Sequence, residues 1–178
     1  MGKIYVIRIR LRSRLCLKGI MLGLSKRGFG RSVRGVSLLE GTDENIITQN
    51  TKWKEYEFKA KPGNLYRKLP IIAPYQPRID WQIWFAAMET PQQNPWLIHM
   101  IWKLLDNDKN ALSLLANNPF PDNAPKYIRV QFYQYKFADL SNKDGAVWNR
   151  TYIGAWLPPL SRSNPELQKY IMDYGWEN

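Results

Sequence analysis

Hydrophobic and polar positions change period along this chain, and the changes predict its elements. Val36 to Leu39 is a short apolar run closed by Glu40-Gly41 and predicts a strand; residues 42–52 are polar and loop-like. From Lys54 to Ala60 the residues alternate, with Tyr56, Phe58 and Ala60 on one side and Glu55, Glu57 and Lys59 on the other. Period two with one apolar face predicts a half-buried antiparallel strand. Lys61-Pro62-Gly63 should end it, because proline cannot donate to the ladder and glycine permits the turn. A proline-rich link then runs to Pro77.

Beyond the link the period is helical. Asp80 is the expected N-cap of a first helix, with Trp81, Trp84, Phe85 and Met88 at i, i+3, i+4 and i+7 as its core stripe. Asn94-Pro95, a cap followed by a first-turn proline, should open a second helix running to about Leu105. Ile98, Ile101, Trp102 and Leu105 form its stripe, and Leu97, Met100 and Leu104 widen it, predicting burial on more than one side. Asp108 should cap a third, short helix carrying Leu112 and Leu115, stopped by Asn117-Asn118-Pro119.

Strand periodicity returns at Tyr127. Ile128, Val130 and Phe132 hold one phase and Tyr133, Tyr135 and Phe137 the other, so a β-bulge is expected near Phe132–Tyr133. Asp144-Gly145 marks a turn, Val147 to Leu157 is the antiparallel partner, Pro158-Pro159 should end it, and Pro165 to Tyr174 reads as a terminal helix. The expected fold class is α+β: an antiparallel sheet or sandwich-like domain with an inserted set of about three helices and a short C-terminal helix.

Charge divides the chain. Its 178 residues carry a net charge of +11, but residues 1–35 hold ten lysines and arginines and no acid. The remaining 16 bases face all 15 acids, leaving +1 on residues 36–178. Nucleic-acid domains need positive charge on the folded surface that tracks phosphates, so no nucleic-acid partner is expected. Residues 1–35 are read as a basic leader, a divergent or artefactual start, with a signal peptide or a mitochondrial presequence as alternatives. Residues 36–178 are read as the domain. The single cysteine, Cys16, sits in the leader and precludes an intrachain disulfide. No run of 18 apolar residues is present.

Candidate chemistry is sparse. His99 is the only histidine and lies in an apolar helix; with no G-x-S-x-G elbow, a structural role is preferred to a catalytic one. One histidine and scattered carboxylates lack metal-ligand spacing, so no metal and no cofactor are expected. Gly28, Gly30 and Gly35 do not complete a phosphate loop, since Val33 occupies the third required position. Asp80 beside Arg78 reads as a helix cap before it reads as a catalytic pair. Among the tryptophans, Trp148 and Trp156 are the better candidates for a sugar-stacking platform, although packing is the simpler role. Asn149-Arg150-Thr151 is an N-glycosylation sequon.

Two blocks carry a family resemblance. Trp53, Tyr56, Phe58, Lys61, Pro62 and Gly63 fit W-x-x-Y-x-F-x-x-K-P-G, and Pro74, Tyr75, Arg78, Ile79, Asp80, Trp81, Trp84, Phe85, Ala86 and Ala87 fit P-[YH]-x-x-R-[IL]-D-W-x-[MI]-W-F-A-A. Asn94 to Trp96, Ala111 to Phe120, Tyr133 to Phe137 and Pro158 to Leu160 follow in order. Over about Val36 to Trp176 the chain resembles the C-terminal region of the lipase maturation factors. The resemblance implies a chaperone-like factor of the endoplasmic reticulum membrane, its domain facing the lumen, that assists maturation of secreted lipases. It implies no reaction and no catalytic residue, and a structural role for the motif residues. Members of that family are multi-pass membrane proteins, so the chain is expected to be a fragment reaching the membrane only through a region it lacks. A carbohydrate-binding or other non-catalytic β-rich binding module is the alternative.

Overall fold

A computed structural model describes residues 34–72, 75, 77–139 and 144–176. The expectations for the leader, Cys16 and the glycines before residue 34 lie outside these residues, as does Pro74 of the second motif. The described residues fall in a unit running from Arg34 to Asn178.

Four strands, β1 (Arg34–Thr42), β2 (Lys54–Glu55), β3 (Tyr127–Phe137) and β4 (Trp148–Ser161), form one antiparallel sheet in the order β2-β1-β3-β4. Between β2 and β3 lie α1 (Arg78–Ala86), a 3-10 turn at Pro91–Gln93, α2 (Pro95–Leu105) and α3 (Lys109–Ser113); α4 (Pro165–Asp173) follows β4. This is the expected α+β class, as a single sheet with three inserted helices and a terminal one.

The strands differ from expectation where hydrogen-bond partners decide. Tyr56, Phe58 and Ala60 are buried and Lys59 is exposed, so the alternation is real. The ladder nevertheless stops after Glu55. Beyond it the amide of Tyr56 donates to Leu39 O at 2.9 Å, and Phe58 makes an isolated bridge to Leu115. The other backbone groups are taken elsewhere: Glu57 N donates to Asn117 Oδ1, Glu57 O accepts from Ala116 N, and Ala60 N donates to Asp80 Oδ1. At the other edge, β4 runs through Pro158-Pro159 instead of ending there. An edge strand tolerates proline because one side of its backbone has no ladder to lose.

The bulge expected near Phe132–Tyr133 is present, but the extra residue belongs to the partner strand. Tyr133 pairs with Tyr152 and Phe132 with Gly154, leaving Ile153 over. β3 is pinned by an unbroken register with β1 from Arg34↔Tyr135 to Thr42↔Tyr127, so β4 absorbs the slip. Two further shifts flank Val130, and bulges increase local twist. A flat sheet would hold the edge strands about 14 Å apart across three spacings. Glu55 Oε1 of β2 and Arg150 NH1 of β4 meet at 2.6 Å, so two long side chains bridge the edge strands across one face of the twisted sheet.

The core joins Leu39, Ile128, Val130 and Leu157 of the sheet to Tyr56, Phe58, Ile83, Ala86 and the apolar residues of α2 and α4. α2 buries Leu97, Ile98, Met100, Ile101, Trp102, Leu104 and Leu105, as its broad apolar surface predicted. Asp108 caps α3 through the amides of Asn110 and Ala111.

α1 requires two corrections. It opens at Arg78 after Pro77, so Asp80 lies inside the first turn and is not the cap. Its buried residues are Asp80, Ile83 and Ala86, whereas Trp81, Phe85 and Met88 are exposed and Trp84 is only partly covered. The helix is apolar nearly all round, so two stripes compete. The one carrying small Ala86 and β-branched Ile83 packs, and α1 lies against β1.

Candidate functional site

Residues from both motif blocks meet at one buried cluster. Asp80, fully buried on the inner face of α1, accepts the Ala60 amide through Oδ1 at 2.6 Å. The next residue, Lys61, is buried as well; its ammonium donates to Ser37 O of β1 at 2.6 Å and lies 4.6 Å above the Phe58 ring. Burial pulls the Lys61 amine down to about 7, against the opposing pull of the Glu55 and Asp80 carboxylates. The same burial pushes the Asp80 carboxyl up, opposed by the Ala60 amide and by Lys61. Arg67 closes the turn, donating to the carbonyls of Phe58 and Lys61 and pairing with Glu57 at 3.2 Å.

Residues 63–67 then cross to β4. Gly63 O accepts the Tyr135 hydroxyl at 2.8 Å, Leu65 O accepts the amides of Val147 and Trp148, and Arg67 O accepts Trp148 Nε1 at 3.1 Å. The segment from Tyr56 to Arg67 thus ties α1, β1 and the opposite sheet edge together. Each side chain in the first block has a place in that tie. Trp53 lies 3.9 Å beneath the Arg129 guanidinium, itself paired with Glu40 at 2.7 Å; Tyr56 and Phe58 enter the core; Pro62 is buried. Arg150 joins Glu55 to the ring of Tyr133, and burial pushes the Tyr135 hydroxyl up to about 12.

Arg78 is exposed while Asp80 is buried, so these sequence neighbours point apart and do not act as a pair. The Lys61 amine has the depressed pKa of a nucleophile but no exposed face from which a substrate could approach. His99 stacks on Trp176 at 4.6 Å with rings 17° apart, and burial followed by Lys103 pushes its pKa down. Trp148 is buried and Trp156 donates Nε1 to Glu89 O at 3.0 Å, so these two side chains are packing residues, not a sugar platform. Asn149 and Thr151 are exposed on the edge strand β4. Among the described residues no group of His, Cys, Asp and Glu could hold a metal ion, and no helix is long and apolar enough to cross a membrane.

Sequence reasoning placed Lys61 in a turn and gave Arg67, Arg129 and Arg150 no role. A lysine out of phase with an apolar strand face is ordinarily solvated. The available signal was its position between the apolar residues Ala60 and Pro62 within the first motif block.

Residues 24–158 match the family described as the lipase maturation factor C-terminal domain. The chain is 43% identical to Lipase maturation factor 1 of Homo sapiens over 148 residues, 80% of this chain and 26% of that protein. It is 40% identical to Lipase maturation factor 1 of Mus musculus over 144 residues, covering 78% and 25%. Its identity to Lipase maturation factor 2 of Homo sapiens is 34% over 157 residues, covering 86% and 21%. The chain thus spans about a quarter of the length of these relatives. No solved structure matches it.

Proposed function

The chain belongs to the lipase maturation factor family, and from that premise we propose that it is a chaperone-like domain that helps secreted lipases reach an active state without a reaction of its own. The observation that carries this reading is the fate of the motif residues. Tyr56, Phe58, Lys61 and Asp80 are enclosed as supports of a tie between helix and sheet, and Arg78, Trp81 and Phe85, motif residues that are exposed, carry neither a nucleophile nor a general base. Such a domain offers a partner a shaped surface and not a reactive group. We place it in the endoplasmic reticulum, facing the lumen, with secreted lipases as clients. The test is an exchange: this domain replaces the matching C-terminal region of human Lipase maturation factor 1 in cells lacking that factor. Secreted lipase activity per unit of lipase protein should be restored. A chimera that is folded and correctly located yet restores none would contradict the proposal.

The lumenal placement has its own consequence. Asn149 and Thr151 both expose their side chains, so the sequon is open to glycosyl transfer. In mammalian cells the chimera should show an endoglycosidase-sensitive mobility shift that Asn149→Gln removes. A lumenal domain with Asn149 unmodified would refute this expectation.

A further inference from the structure

We propose that the outward face of α1 is a membrane-docking surface that enters the headgroup region of a phospholipid bilayer. Trp81, Phe85 and Met88 are 38%, 41% and 63% exposed, and they recur at helical spacing on the side opposite Ile83 and Ala86. The Trp81 ring stacks on Trp84 at 6.5 Å and meets Phe85 edge-on at 5.3 Å, so the aromatic surface is continuous. The segment leading into the helix adds Ile71 and Tyr75, 85% and 87% exposed. Five large apolar side chains exposed within 18 residues exceed the scattered single exposures of an ordinary surface.

The charges beside this face select the occupant. Between Tyr66 and Met88 the exposed charged residues are Lys68 and Arg78, both cationic, and the one acid of the stretch, Asp80, is buried on the opposite side of the helix. Arg78 lies at the start of the same outward face, on a stem long enough to bring its guanidinium level with lipid phosphates while the rings go deeper. Tryptophan and tyrosine at headgroup depth, apolar side chains below them and cations reaching phosphate make an interfacial composition. No carboxylate lies between the rings, and the exposed one that follows Met88, Glu89, is held by Asn94 Nδ2 at 3.1 Å.

The test is co-flotation of the full chain with phosphatidylcholine vesicles at physiological ionic strength. Uncharged vesicles are chosen because the ten bases of residues 1–35 would draw any variant to an anionic surface. The wild-type chain should float with the vesicles. The triple variant Trp81→Ser, Phe85→Ser, Met88→Ser should partition about a hundredfold more weakly, since each lost side chain gives up apolar burial. Its far-UV circular dichroism and cooperative unfolding should be kept, with a lowered midpoint because Trp81 and Phe85 also pack on each other and on Trp84. Brominated phosphatidylcholine should quench tryptophan emission in the wild type, and less in a Trp81→Phe chain that still floats, where Trp84 remains beside the lipid-facing ring. A wild type that stays with the lipid-free fraction would overturn the proposal, as would a folded triple variant that floats equally well. Stripe-dependent capture of an extended apolar peptide without vesicle binding would also overturn it and assign the face to a protein partner.

Discussion

Asp80→Ala should destabilise the domain by about 3 kcal/mol, the upper end of the range for leaving a buried hydrogen-bonding group without its partner. The loss has two sources. The Ala60 amide, buried beside α1, would have no acceptor, and the Lys61 ammonium would lose one of the two carboxylates that favour its charged form. Against a total of about 5–15 kcal/mol, such a loss is a large fraction of the domain's stability. Asp80→Asn keeps an acceptor at the same place and should cost no more than about 2 kcal/mol. Urea midpoints of the two variants distinguish this account from a surface or capping role. A midpoint for Asp80→Ala equal to that of the wild type would contradict the buried hydrogen bond from the Ala60 amide to Asp80.

Lys61 should give the stability of the domain an unusual pH dependence. Its amine falls from 10.5 to about 7 on folding, so between those values the unfolded chain holds more protons than the folded one. Stability therefore rises with pH across that window, by at most about 1.4 kcal/mol per unit, for a gain of order 3 kcal/mol between pH 7 and pH 10. Above pH 10 the sign reverses. The Tyr56 and Tyr135 hydroxyls are pushed up by burial, so the unfolded tyrosines lose their protons first and stability falls. Lys61→Met should flatten the rise while leaving the alkaline fall in place. Denaturation midpoints followed from pH 6 to pH 11 provide the measurement, and a flat wild-type profile between pH 7 and pH 10 would show that Lys61 is solvated.

The sheet and most helices were legible because their signals are local and redundant. Tyr127 to Phe137 carries alternation, β-branched residues and a phase slip; Asp108 has both a capping side chain and a short apolar stripe behind it. α1 was misread because the stretch from Ile79 to Ala87 is apolar on every side apart from Asp80 and Gln82, and periodicity cannot orient such a helix. Orientation is fixed by Asp80, whose carboxylate turns inward to the Ala60 amide, a contact 20 residues distant in sequence. The same is true of the tie from Tyr56 to Arg67. Its residues were quoted as motif members, but Lys61 to Ser37, Tyr135 to Gly63 and Arg150 to Glu55 join residues 24, 72 and 95 positions apart, and no local pattern reports such pairings. The ladder beyond Glu55 failed for a related reason: alternation reports which side chains are buried, not which backbone groups are left to pair.

The central claim is that the domain assists lipase maturation through its surface and not through a reacting side chain. Secreted lipase activity per unit of lipase protein, in cells lacking the endogenous factor and supplied with the chimera carrying His99→Gln or Asp80→Asn, tests it most directly. His99 stacks on Trp176 and Asp80 holds a backbone amide, so both variants should retain activity close to that of the unsubstituted chimera once folding and location are verified. Abolished lipase activation by either folded, correctly placed variant would contradict the account and assign that side chain a chemical role.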